Sequence, residues 1–160
     1  MKSKKSIRIS MICLLLLLFG GINMANAGYF DLAADASQTS ADYSAYANYY
    51  AKWALAANNS TYLYYAYLYS YYAQEAAYNS FLYSYYGYNG SAMPTDFNYD
   101  AYNYSYAAYY YKYYAASNTG NWYTSGSSYF DEAAAYGYYG DYYNSLAAYF
   151  NGVASVMTLN

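Results

Sequence analysis

The chain has 160 residues, of which 34 are tyrosine and none histidine, with a single cysteine, Cys13, and nine carboxylates against six basic residues. Most side chains that act as nucleophile, base or metal ligand near neutral pH are missing. Composition therefore speaks against an enzyme, a metal centre or a bound cofactor, and for a protein that works through its surface.

The first 27 residues predict export. Lys2, Lys4, Lys5 and Arg8 precede the apolar run Met11 to Phe19, and the small residues Ala25 and Ala27 flank Asn26 just ahead of Gly28. That order is the plan of a secretory signal peptide, and the run falls well short of the ~20 residues a membrane span needs. The reading is a signal peptide over 1–27, cut before Gly28, and one domain over 28–160, exported to an extracellular or periplasmic space with no stable membrane span after cleavage. Cys13 leaves with the leader, so no disulfide is expected.

Beyond residue 27 only Lys52 and Lys112 face the nine carboxylates, a side-chain charge of −7. Two ammonium groups cannot neutralise a row of phosphates, which excludes nucleic acid and anionic membrane surfaces as partners. Leu, Val and Phe supply only 14 residues there, with no isoleucine, against 26 alanines. The expected core is tyrosine packed on alanine with each hydroxyl reaching water or a carbonyl. Burying a ring contributes roughly 3–4 kcal/mol, whereas an unpaired buried hydroxyl costs ~1–3 kcal/mol.

Turn-formers at Asn58-Asn59-Ser60, Asn89-Gly90-Ser91 with Pro94, and Ser117 to Gly120 through Ser125 to Ser128 divide the domain into four segments. In the first, Tyr43, Tyr46, Tyr50, Trp53 and Ala57 recur at spacings of three and four, with Ser44, Asn48 and Lys52 on a different face. Ser60 or Thr61 caps the second, whose stripe is Tyr64, Leu68, Tyr71, Tyr78, Leu82 and Tyr85. Pro94-Thr95-Asp96 opens the third, with Tyr99, Tyr102, Tyr106, Tyr109 and Tyr113 in register. Ser128 opens the fourth, with Tyr139, Tyr142, Leu146, Tyr149 and Val153, weakened by Gly137 and Gly140 at roughly 1 kcal/mol each. The fold class is mainly α, about four amphipathic Tyr/Ala-rich helices in a bundle or array. The alternating runs 65–71 and 102–106 keep a β-rich form open, and the low complexity keeps partial disorder open.

Two short similarities, Tyr29 to Ala34 and Tyr129 to Ala134, read as two acidic helix starts. Asp96-Phe97-Asn98-Tyr99-Asp100 matches half of a calcium loop, but Ala101 and Ala107 replace its glycine and its bidentate glutamate, which leaves an ordinary helix start. Asn58, Asn59, Asn89 and Asn103 stand in Asn-x-Ser/Thr triplets that composition alone produces easily. What remains distinctive is the phenol. In composition alone the domain resembles precursors of silks, eggshells and cell-wall matrices, and no motif assigns it to one of them. The expected function is that of a secreted structural or surface protein that self-associates, with itself as partner, through stripes such as Tyr43-Tyr46-Tyr50 and Tyr102-Tyr106-Tyr109-Tyr113, where phenols can also be coupled covalently. The alternatives are an aromatic surface that binds carbohydrate or an apolar ligand, and a tyrosine-based electron relay.

Overall fold

The computed structural model describes the backbone of residues 4–91 and 94–158, with side chains from Met24 onward except at position 127. The charged and apolar part of the predicted leader, Lys2 to Phe19, has its side chains outside that range. Four helices follow in series: α1 (Lys4–Ala57), α2 (Ser60–Gly90), α3 (Asp96–Ser125) and α4 (Phe130–Thr158), the last entered through a single 3-10 turn, Ser127–Tyr129. Each helix packs on its neighbours in sequence and α1 closes on α4, so the section is a square in the order 1-2-3-4. Ring pairs Tyr29–Tyr86 and Tyr50–Tyr62, Tyr64–Tyr123 and Tyr88–Tyr99, and Tyr114–Tyr136 and Tyr104–Phe150 show consecutive helices to be antiparallel. No strand occurs among the described residues, and both alternating tyrosine runs are helical.

Local chemistry explains the boundaries. Asn58 takes the left-handed conformation at φ 47°, which asparagine tolerates, and reverses the chain. The cap of α2 is Asn59, one residue before the serine expected there, and its Oδ1 accepts from Thr61 N–H at 2.8 Å. Thr95 and Asn98 cap α3 reciprocally: Asn98 N–H donates to Thr95 Oγ1 at 3.3 Å and Thr95 N–H to Asn98 Oδ1 at 3.1 Å. The half calcium loop is thus a capped helix start. Gly126, at φ 108°, ends α3 in a conformation that suits glycine.

The turn expected over Ser117 to Gly120 is helix instead. Asn118 and Thr119 turn their side-chain donors back onto Tyr114 O (3.0 Å) and Ala115 O (2.7 Å), which satisfies them inside the helix. Gly120 serves close approach: a Cβ there would stand 3.0 Å from the Tyr67 ring. The Tyr29 to Ala34 segment lies inside α1, whereas its counterpart does begin α4.

The interior keeps the expected alanine but not the expected tyrosine. None of the 34 tyrosines is buried. The buried line of α3 runs Ala101, Ser105, Ala108, Lys112, Ala115, Thr119, Trp122, and α1 matches it with Phe30, Ala33, Ser37, Ser40, Ser44, Ala47. Steps alternating between three and four give the 3.5-residue period of a left-handed bundle. Small residues on that line let the helices approach closely and leave rings no space at the centre, so tyrosine moves to the grooves between helices. There a half-buried ring removes ~100 Å² from water, about 2.5 kcal/mol, against ~0.8 kcal/mol for an alanine methyl. Much of the apolar burial therefore sits around the rim.

Candidate functional site

Two features carry chemistry: the coat of rings and the polar line beneath it. Nineteen of the tyrosines are exposed and the other fifteen half-buried. Of the stripe expected on α1, Tyr43 and Tyr50 are half-buried and Tyr46 is exposed, and all three engage α2: Tyr46 and Tyr50 stack on Tyr69 at 5.2 and 5.5 Å, and Tyr43 meets Tyr72 at 5.4 Å. Tyr102 stacks on Tyr88 at 5.7 Å, Tyr106 meets Phe81 at 5.5 Å and Tyr109 meets Tyr78 at 5.2 Å, all across α2 and α3. Tyr113 is exposed beside Tyr109 and Tyr114. A third seam, Tyr104, Tyr111, Tyr114 and Tyr136, Tyr143, Phe150, joins α3 to α4. The predicted stripes thus lie on the outside, and all but Tyr113 brace adjacent helices. The two most exposed tyrosines are elsewhere, on α4: Tyr138 and Tyr149 at 70 and 63 %, with Tyr142 exposed beside them on the same helix.

Crowding shifts several phenols upward from the ordinary value. Tyr50 and Tyr109 are raised first by desolvation and then by neighbouring phenols, Tyr71 first by the Glu75 carboxylate, and Tyr114 first by its hydrogen bond with Tyr110.

Beneath the coat, hydroxyls and amides tie all four helices. Ser84 Oγ donates to Asn151 Oδ1 at 2.7 Å, Asn151 Nδ2 donates to Ser105 Oγ at 2.9 Å, and with the Ser84 proton so engaged Ser105 Oγ donates to Ser84 Oγ at 2.8 Å, a closed ring across α2, α4 and α3. Ser37 and Ser80 bring in α1 at 2.7 Å, and Asn144 Nδ2 donates to Ser37 O at 2.6 Å. Further along, the Lys112 ammonium donates to Ser44 Oγ and to Asp141 Oδ1. Lys112 is 2 % exposed, and burial holds its pKa below the ordinary lysine value in spite of the opposing pull of Asp141. Gly140 makes room for it, since a Cβ there would meet Lys112 Cδ at 3.0 Å. Sequence reasoning missed this lysine. The available signal was position, because Lys112 falls on the three-four line of small residues in α3.

Ala25, Ala27 and Gly28, the residues at the predicted cleavage point, lie within α1. Ala25 is exposed, Gly28 half-buried and Ala27 buried. Asn26 is buried too, its Nδ2 has no partner, and a Cβ on Gly90 would stand 2.4 Å from its Oδ1. Among the described residues no helix is long and apolar enough to cross a membrane, and no cluster of His, Cys, Asp and Glu could hold a metal ion.

No protein-family model matches the chain, and comparison with curated proteins and with solved structures finds no match.

Proposed function

We propose that the chain is an exported, non-enzymatic surface or matrix protein that associates with further copies of itself through its ring-covered exterior. One observation carries the reading: every tyrosine lies outside a bundle whose centre is closed by alanine, serine and asparagine. Seven exposed phenols, Tyr49, Tyr71, Tyr110, Tyr113, Tyr138, Tyr142 and Tyr149, meet rings of their own helix alone and so are not needed to close a groove, and that surplus of exposed aromatic surface supports an interaction face. Phenols suit contacts that are both apolar and hydrogen-bonding. The outer face of α4, with Tyr138, Tyr142 and Tyr149, is the first candidate for intermolecular contact, because these rings meet only neighbours on their own helix whereas those of the three seams bridge two helices.

Export rests on the leader and gains support from length. From Gly28 to Ala57 the helix matches the 30 residues of α3, so cleavage there leaves four helices of nearly equal length and removes the unpartnered Asn26 amide. Intact mass of the exported form should place its first residue at Gly28. Recovery of a species retaining Lys2 to Phe19 contradicts export.

Self-association is tested by sizing the protein at micromolar concentration, then treating it with peroxidase and hydrogen peroxide. Each of two phenols gives up one electron and one proton to the peroxide, which leaves as water, and the two radicals join through a carbon–carbon bond. Fluorescent oligomers that survive boiling in denaturant are expected, with fewer in a Tyr138→Phe/Tyr142→Phe/Tyr149→Phe variant. A monomer that couples only within itself defeats the proposal.

A further inference from the structure

Between Lys112 and the α3–α4 turn the four helices do not close on one another. A cavity of about 280 Å³ lies there, with alanine the commonest residue of its walls and the edge-to-face pair Trp122–Phe130 (5.0 Å) among its lining. Its exposed lining residues belong to α1 and α4, Asn48, Lys52 and Leu55 on one and Ala134 on the other, so the mouth lies between those helices. Both lysines found beyond residue 27, Lys52 and Lys112, line this cavity, and of the nine carboxylates only Asp141 does. Lys112 and Asp141 neutralise each other, which leaves the Lys52 charge at the rim unbalanced. In a domain with a side-chain charge of −7, this convergence makes a local excess of positive charge over an apolar, aromatic chamber.

Size and chemistry define the occupant. A dry apolar cavity of ~150 Å³ holds benzene, so this one has room for an aromatic ring and a short arm. Trp122 and Phe130 offer the edges and faces on which another ring packs. We propose that the cavity binds a small aromatic carboxylate, with its ring against Trp122 and Phe130 and its carboxylate at Lys52. A polar rim at an apolar chamber is the usual construction of a small-molecule site. The inference does not rest on self-association, because the cavity is interior and the coat exterior.

Three isosteric probes test it: 3-phenylpropanoate, 3-phenylpropan-1-ol and 3-phenylpropan-1-amine, titrated into the full chain carrying Trp53→Phe, so that emission reports Trp122, with calorimetry alongside. The acid should bind saturably, one per chain, and at least tenfold more tightly than the amine. Lys52→Gln, at an exposed position, should erase the preference of the acid over the alcohol. Gly137 also lines the cavity and a Cβ built there meets nothing within 4 Å, so Gly137→Leu fills the space without collision. Leucine is the better helix former, so helicity should hold while affinity for all three probes falls at least tenfold. Absence of saturable binding, an amine as tight as the acid, a preference that survives Lys52→Gln, or unchanged affinity in a folded Gly137→Leu variant would each overturn the proposal.

Discussion

Three of the four seams of the bundle carry tyrosine and one does not. Stacked and tilted rings bridge α1 to α2, α2 to α3 and α3 to α4, whereas among the described residues no ring pair joins α1 to α4. The fourth seam is held by a different chemistry, the bond from Asn144 to Ser37 O and the Lys112 ammonium shared by Ser44 and Asp141. It is also where the cavity opens. Rings close a groove by area without demanding a particular partner. Polar groups hold a groove by geometry and leave it accessible where small residues face each other.

Alkali should separate the two chemistries most strongly. The raised phenols, Tyr50, Tyr71, Tyr109 and Tyr114, hold their protons more tightly in the folded than in the unfolded chain. The unfolded state therefore binds fewer protons above its own phenol pKa of ~10. Their stabilising effect is complete below ~10 and declines as pH rises from there toward the folded values. Lys112 has the opposite sign. Its depressed pKa makes stability rise with pH between its folded value and the unfolded value of ~10.4. Melting midpoints across pH 7 to 12 should rise slightly and then fall to complete unfolding, and Lys112→Met should remove the rise. A midpoint that stays level while every phenol titrates would show that the rings contribute nothing to stability.

The next largest effect belongs to the polar seam. We predict that Asp141→Asn, which leaves a buried ammonium without its counter-charge, costs about 3 kcal/mol. Lys112→Met should cost no more than ~1 kcal/mol, because Asp141 is 39 % exposed and keeps its water. Equal costs in urea denaturation would show that the pair acts as a symmetric bridge.

Smaller effects are expected on the ring side. Tyr69 touches Tyr43, Tyr46, Tyr50 and Tyr72, so Tyr69→Ala should cost about 2 kcal/mol, while Tyr69→Phe, which keeps the ring, should stay within ~0.5 kcal/mol. Tyr149→Ala, on the exposed face of α4, should fall below ~1 kcal/mol. If the hydroxyl of Tyr69 matters more than its ring, the seams are hydrogen-bonded and not apolar. Smallest of all is Gly140→Ala, where ~1 kcal/mol of helix preference is offset by displacement of the flexible Lys112 chain, for a net change within ~0.5 kcal/mol.

Helix content, the number of helices and two of the three connections are legible in the sequence, because Asn58-Asn59 and Pro94-Thr95 act through local capping that needs no tertiary partner. Which face turns inward is not legible from hydrophobicity. Tyrosine is large, apolar in its ring and polar at its tip, so a stripe of it fits a core and a coat equally well. Ser44 shows the cost of reading the larger residues first: assigned to the face away from the tyrosines, it lies on the buried line with Ser37 and Ser40. The small residues carried the answer, since Ala, Ser, Gly and Asn recur at three and four in every segment. Lys112 and the cavity were hidden for another reason, because a charge on that line gains meaning only when Asp141, 29 residues away, is brought beside it.

The closed hydrogen-bond ring of Ser84, Asn151 and Ser105 has a consequence for how this molecule can change. An interior of alanine is nearly featureless along its length, and helices sliding by one turn would find much the same surface. A handful of serines and asparagines therefore marks the register, since a shift leaves a buried donor or acceptor unmatched. The instructions for register are written in small polar letters on the inside, and the chemistry shown to the surroundings is written in the exposed tyrosines of the outside. The two texts share almost no residues. Exterior positions on α4 should accept phenylalanine, tryptophan or histidine with the frame unaltered, so that lineages or engineers can rewrite what the surface adheres to without teaching the chain to fold again.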